Sequence, residues 1–307
     1  MNVIVSGQLE LSEFLTRASG VAQVDAAMIA RDGYDSFAFV AKSDFASASE
    51  AANSPRRAEA DVSPTFIALV NLRPAIGSVL GRFVDASTLE CARDLAADID
   101  VADVVSEALR GLSRHFTWRQ SLIKTIGLAI HEPGRRTVTI DRTRNVRLGI
   151  HLDSWDKAPF DGRAHARNRI CVNIGSSDRY FLFVPIDMKS IVGGIAEHHL
   201  PTEATLGRPV TATDVVRVFF SQNTHLPVYR LRVPPGWAYI APTEDVPHDA
   251  QTPSGVKYDL AIHVMADFAP LHKQLATDGW RISSLYCGLS PGRYLELGKN
   301  SVKLASI

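Results

Sequence analysis

Beyond residue 120 the chain alternates short apolar runs with Gly- and Pro-containing turns. The runs at 122–130, 137–141, 147–153, 169–175, 180–185, 229–233, 238–241 and 258–266 are rich in Val, Ile, Thr and aromatic residues, and they read as strands. One amphipathic helix interrupts them. Thr211 or Thr213 is its N-cap, and Val215, Val216, Val218 and Phe219 form its apolar body. Many short strands at regular spacing predict a double-sheet jelly roll or barrel. Before residue 120 the pattern differs. The span 87–114 carries Val101, Val104, Val105, Ala108, Leu109 and Leu112 at helical spacing, with Ser87 and Glu90 placed as a capping box. The run 65–72 is either a strand or a buried helix start. The polar, Ala- and Ser-rich span 46–60 reads as a surface loop, or as a lid over a site.

These patterns predict an α+β chain in three parts: 1–120, a mainly helical elaboration; 121–270, the β core; and 271–307, a C-terminal extension.

Composition narrows the function. Of 307 residues, 33 are Lys or Arg and 33 are Asp or Glu, so no global field attracts nucleic acid or an anionic membrane. No basic run is interleaved with aromatic residues, which argues against a nucleic-acid partner. No apolar stretch is long enough to span a bilayer, so a membrane role is not expected. The N-terminus lacks the pattern of a signal peptide. Cys91, Cys171 and Cys287 are far apart and odd in number. That disfavours both a disulfide framework and a thiolate zinc site, and it predicts a reducing, cytoplasmic setting. Neither a phosphate-binding Gly-rich loop nor a Gly-x-Ser-x-Gly elbow is present.

The chemistry concentrates in 147–155. In a strand, Arg147, Gly149, His151 and Asp153 share one face, and Leu148, Ile150 and Leu152 share the other. An imidazole and a carboxylate two residues apart on one face can bind the same metal ion. Alternatively, they form an ordinary hydrogen-bonded pair at a strand end. A third ligand, His248, follows a Pro-Gly turn, a short apolar strand and a polar loop. Two histidines and a carboxylate make the facial triad of non-haem ferrous oxygenases.

With His151, Asp153 and His248 in that order, the chain resembles the 2-oxoglutarate- and Fe(II)-dependent oxygenases, in the branch of aspartyl, prolyl and phytanoyl-CoA hydroxylases. The resemblance runs from Leu122 to Phe268. It implies a double-stranded β-helix (jelly-roll, cupin-like) core, with Fe(II) on the triad and 2-oxoglutarate as co-substrate. Dioxygen is the oxidant, and the substrate is a small molecule hydroxylated at an unactivated C–H bond, an amino acid or derivative being the expected class. A basic residue after the last His holds the far carboxylate of 2-oxoglutarate in that family. Lys257, nine residues after His248, is the candidate here.

Further contacts come from the residue pattern. Arg169 and Asn173 alternate with Ile170, Val172 and Ile174, so they either face a ligand inside the barrel or face water. Trp155 either walls a substrate pocket or simply packs. Arg163 and Arg167, in the loop 156–168, are candidates for an anionic substrate. Two rivals remain: a metal-dependent cupin enzyme that does not use 2-oxoglutarate, and a non-catalytic jelly-roll binding module.

Overall fold

A computed structural model describes residues 1–6, 11–48, 65–80, 83–278 and 280–285. The first 71 residues supply six strands: β1 (Asn2–Val5), β2 (Leu15–Ala18), β3 (Val21–Gln23), β4 (Tyr34–Ala41), β5 (Ala46–Ser47) and β6 (Phe66–Asn71). Helix α1 (Ala26–Asp32) lies among them, and α2 (Arg73–Leu80), α3 (Leu89–Ala97) and α4 (Val101–Leu112) follow. After β7 (Phe116–Thr117) come β8 (Lys124–His131), β9 (Ile140–Asp141), β10 (Val146–Gly149), β11 (Asn168–Asn173) and β12 (Arg179–Phe183). Helices α5 (Met188–Gly193), α6 (Glu203–Leu206) and α7 (Ala212–Gln222) then precede β13 (Val228–Val233), β14 (Trp237–Ala241), β15 (His248–Gln251) and β16 (Asp259–Ala266). The described chain ends with β17 (Ala269–Pro270), α8 (His272–Thr277) and β18 (Arg281–Ser284).

Seven strands form one sheet in the order β18-β1-β6-β14-β11-β16-β8, and five form another in the order β15-β12-β13-β2-β5. They face each other. Val3, Leu69, Cys171, Tyr239 and Ala261 of the larger sheet pack in one cluster with Leu15, Phe181, Phe183, Tyr229 and Leu231 of the smaller. The opposite face of the larger sheet, with Ile170, Val172, Ile240, Leu260 and Ile262, packs against Val104, Val105, Ala108 and Leu112 of α4. Both faces of β11 are therefore buried, one under helices and one between sheets. That explains why it reads as apolar on one side only and yet exposes neither. A third sheet, β3-β4-β10-β9, meets α7 through Phe39, Ile150, Val215 and Phe219.

Three expectations change. The described part of the first 120 residues is not mainly helical, because β1 and β6 pair in parallel within the larger sheet and β2 and β5 extend the smaller one. The long helix at 87–114 is two helices. Thr88, not Ser87, caps α3 by accepting from Cys91 N. Asp100 caps α4 by accepting from Ala102 N and Asp103 N, so two start signals lie within one periodic run. The supposed loop at 46–60 begins with strand β5, and its residues from 49 onward lie outside those described. So does 286–307 of the C-terminal extension, including Cys287. By contrast, α7 starts as expected, with Thr211 and Asp214 in a reciprocal capping box. Among the described residues, no helix is long and apolar enough to cross a membrane.

Candidate metal centre

The strand carrying the His-x-Asp motif ends earlier than the residue pattern predicts. β10 stops at Gly149, whose φ of +71° is a left-handed conformation; a Cβ there would lie 2.4 Å from Phe39 O. The chain then runs beside the start of β15. His151 N donates to His248 O at 3.0 Å, and His248 N donates to His151 O at 2.9 Å. This reciprocal bridge sets the two imidazoles side by side, with ring centroids 4.8 Å apart. Ile150 and Leu152 point the other way into the α7 cluster, as strand alternation requires. Thr213, in the first turn of α7, fixes Leu152 from both sides: its Oγ1 accepts from Leu152 N at 3.3 Å and donates to Leu152 O at 3.2 Å. Asp153 N donates to Thr243 O at 3.0 Å.

The donor atoms converge. One ligand atom each from His151, Asp153 and His248 lies within 4.8 Å of the others, and all three residues are buried. His151 Nδ1 donates to Gly149 O at 2.9 Å, and His248 Nδ1 donates to Val246 O at 3.1 Å. A carbonyl oxygen only accepts, so each Nδ1 carries a proton, and in the neutral imidazole Nε2 holds the lone pair. Both Nε2 atoms and Asp153 Oδ2 are buried with no hydrogen-bond partner. Two orphaned imidazole lone pairs facing one carboxylate are costly unless a cation joins them, and the set of two imidazoles and one carboxylate fits a divalent transition metal, although the Arg169 guanidinium also meets Asp153 Oδ2.

Electrostatics keep the carboxylate ready. Burial works to raise the Asp153 pKa, but the Arg169 guanidinium and the two imidazoles outweigh it and hold it well below the usual carboxylate range. Burial, with His151 and Arg169, lowers His248, although Asp153 opposes this. The Arg169 guanidinium lies 2.5 Å from Asp153 Oδ2 as an ion pair, and its Nε is unpartnered. It reaches the site because Arg169 and Cys171 point between the sheets.

The same interior wall continues away from the centre. Cys171 Sγ lies 3.9 Å from His263 Nε2, on the adjacent strand. Burial pushes His263 well below its ordinary value, and both Arg169 and Arg179 push it further. Arg179 alternates with Phe181 and Phe183, which face the space between the sheets. Its side chain is 1% exposed, and Nη1 lies 3.4 Å from Asp259 Oδ2. Its Nε and Nη1 make no hydrogen bond. Asp259 also contacts His131 Nδ1 at 2.9 Å. Arg179, Asp259 and Asp249 went unnoticed in the sequence. Alternation through β12 would have found Arg179, since it shares a face with two phenylalanines.

Several expected contacts are not where the sequence suggested. Lys257 pairs with Asp85 at 2.8 Å, and both side chains are exposed, so it is not a buried cation. Asn173 is fully buried, but it is used up by the turn after β11: Nδ2 donates to Ser177 O and Val233 O, and Oδ1 accepts from Gly175 N. Arg163 is buried too, with Nη1 donating to Asp153 O and Glu244 O at 2.8 Å each. Its guanidinium is thus engaged with the backbone of Asp153 and Glu244. Arg167 is committed to Asp156 and to Leu122 O. Trp155 stays at the rim, 43% exposed, with Lys124 Nζ 5.8 Å and Arg169 Cζ 5.9 Å from its ring centre.

No protein-family model matches the chain, and no curated protein does. Among solved structures, the chain is similar to the apo Kdo hydroxylase KdoO, described as a non-heme Fe(II) alphaketoglutarate-dependent dioxygenase. Identity is 12% over 66% of this chain and 80% of that one, with a TM-score of 0.35. The same hydroxylase with succinate and Fe(III) matches at 13% identity over 80% of this chain and 90% of that one, with a TM-score of 0.34. At these scores the likeness has no bearing on chemistry, which rests on the centre itself.

Proposed function

We propose that the chain is a 2-oxoglutarate-dependent non-haem iron oxygenase that hydroxylates a small molecule. The observation that carries this reading is the convergence of two unpartnered imidazole nitrogens, His151 Nε2 and His248 Nε2, with the Asp153 carboxylate on one buried point. The sheet orders support the matching fold. β8-β16-β11-β14 lie on one side, β15-β12-β13 on the other, and β10 joins β15 through the His151–His248 bridge. This order accords with a double-stranded β-helix.

A ferrous ion on these ligands supplies dioxygen activation coupled to decarboxylation of 2-oxoglutarate to succinate. The protein's own groups do the rest. His151 and His248 present fixed lone pairs, and Asp153 presents a charge that stays ionised across the physiological range. The apolar space between the sheets keeps water from the reacting groups. Arg179, buried with two free donor nitrogens, is the cation we assign to the far carboxylate of 2-oxoglutarate, replacing Lys257. Asp259 and His131 orient it. Trp155 and Lys124 border the entrance a small substrate would use. The free, unpaired Cys91 and Cys171 accord with a reducing compartment such as the cytoplasm.

Succinate release tests the reading. With Fe(II), 2-oxoglutarate and oxygen, the protein is expected to form succinate, and His151→Ala is expected to abolish it. Metal binding without succinate formation under any candidate substrate would favour a metal enzyme of another kind.

A further inference from the structure

Arg169 stands apart among the groups around the centre. Its guanidinium is nearly buried, at 13% exposure, and it lies 2.5 Å from Oδ2 of the one anionic residue in the triad. Of the other carboxylates near the centre, Asp249 approaches His151 Nδ1 at 3.7 Å. Its Oδ1, however, is held by Val138 N, Thr139 N, Thr139 Oγ1 and Ala250 N on the far side of that imidazole. Asp259 is matched by Arg179. The carboxylate that would face a metal is therefore already paired with a cation, and a divalent ion added alone would leave excess positive charge in a buried space, only partly offset by Asp249 behind His151.

We propose that Arg169 makes metal retention conditional on an anionic co-ligand. A cation alone binds weakly because Arg169 competes with it for Asp153, and a dicarboxylate arriving beside Arg169 and Arg179 offsets the excess positive charge. This rests on the oxygenase reading of the centre and adds a regulation to it: the metal and the dicarboxylate are held together, and neither is held well alone. Coupling of this kind is reciprocal, so the metal raises affinity for the dicarboxylate by the same factor.

Co(II) titration, followed by its visible absorption, separates the alternatives. The metal's affinity is measured with and without 2-oxoglutarate in the wild type, Arg169→Gln and Arg169→Lys. R169Q keeps a hydrogen-bond donor beside Asp153 but removes the charge. It is expected to bind Co(II) alone about tenfold more tightly, and the enhancement by 2-oxoglutarate is expected to fall by a similar factor. R169K is expected to keep most of the enhancement. A purely structural arginine predicts the opposite, weaker Co(II) binding in R169Q. That result, or an unchanged enhancement, overturns the proposal. Should R169Q not fold, Arg169→Met reads the same quantities. Failure of the wild type to bind Co(II) at all would instead remove the metal centre itself.

Discussion

Arg179 and Asp259 face each other between the two sheets, Nη1 to Oδ2 at 3.4 Å, with side chains 1% and 3% exposed. Neither is satisfied: Arg179 Nε and Nη1 and Asp259 Oδ1 have no hydrogen bond. A buried pair with spare donors is poorly explained by stability alone, since such pairs often do no better than apolar residues of the same volume. Its spare donors accord with the anion site proposed for Arg179.

The first prediction follows from that pair. Arg179→Met should weaken binding of 2-oxoglutarate to the metal-loaded protein by about 2–5 kcal/mol, as expected for removing one partner of a buried charge pair. Lys257→Gln should leave it within about twofold, because an exposed pair with Asp85 contributes little. Isothermal titration of both variants checks this. Equal losses would return the assignment to Lys257.

Arg179→Met also leaves Asp259 buried beside His131 only. Its unfolding free energy should drop by about 3–5 kcal/mol. The double change R179M with Asp259→Asn should recover part of the loss in urea denaturation, since it removes the stranded charge as well.

Stability should depend on pH through the same carboxylate. Burial works to raise the Asp259 pKa, but Arg179 and His131 outweigh it and the folded value is lowered. A carboxylate lowered on folding contributes its stability in full above its unfolded pKa of about 3.9, and loses it as pH falls through the folded value. The stability difference between wild type and D259N should therefore be constant from neutral pH down to about pH 5 and shrink below about pH 4. A difference that grows on acidification would contradict the pairing.

Gly149 tests how the ligands are aimed. Gly149→Ala places a Cβ 2.4 Å from Phe39 O at a φ of +71°. It should cost more than about 1 kcal/mol of stability. It should also weaken Co(II) binding, because Gly149 O receives the Nδ1 proton of His151. Thermal unfolding and Co(II) titration together distinguish this from a purely global effect.

The triad was legible because strand alternation is local. His151 and Asp153 lie two residues apart, and the Pro-Gly turn and strand before His248 announce the return of the chain. Arg179 was passed over. It belongs to β12, far from His248 in sequence, and Asp178-Arg179 reads as the polar end of a turn unless the alternation with Phe181 and Phe183 is carried back one step. Arg163 and Arg167 looked like ligands because a loop rich in charge reads as exposed, yet each finds its partner inside the fold. The strand β1 went unread, and β6 was left open between a strand and a buried helix start, for another reason. Their pairing is with each other and with β14 and β18, and nothing local in Val3-Ile4-Val5 or Phe66-Ile67-Ala68 signals so distant a sheet.

The most direct test of the account is an anaerobic titration of the apoprotein with Fe(II) and 2-oxoglutarate. The arrangement of His151, Asp153 and His248 predicts a weak visible charge-transfer band that needs both additions and is lost in Asp153→Ala. Fe(II) binding without that band at saturating 2-oxoglutarate would contradict it.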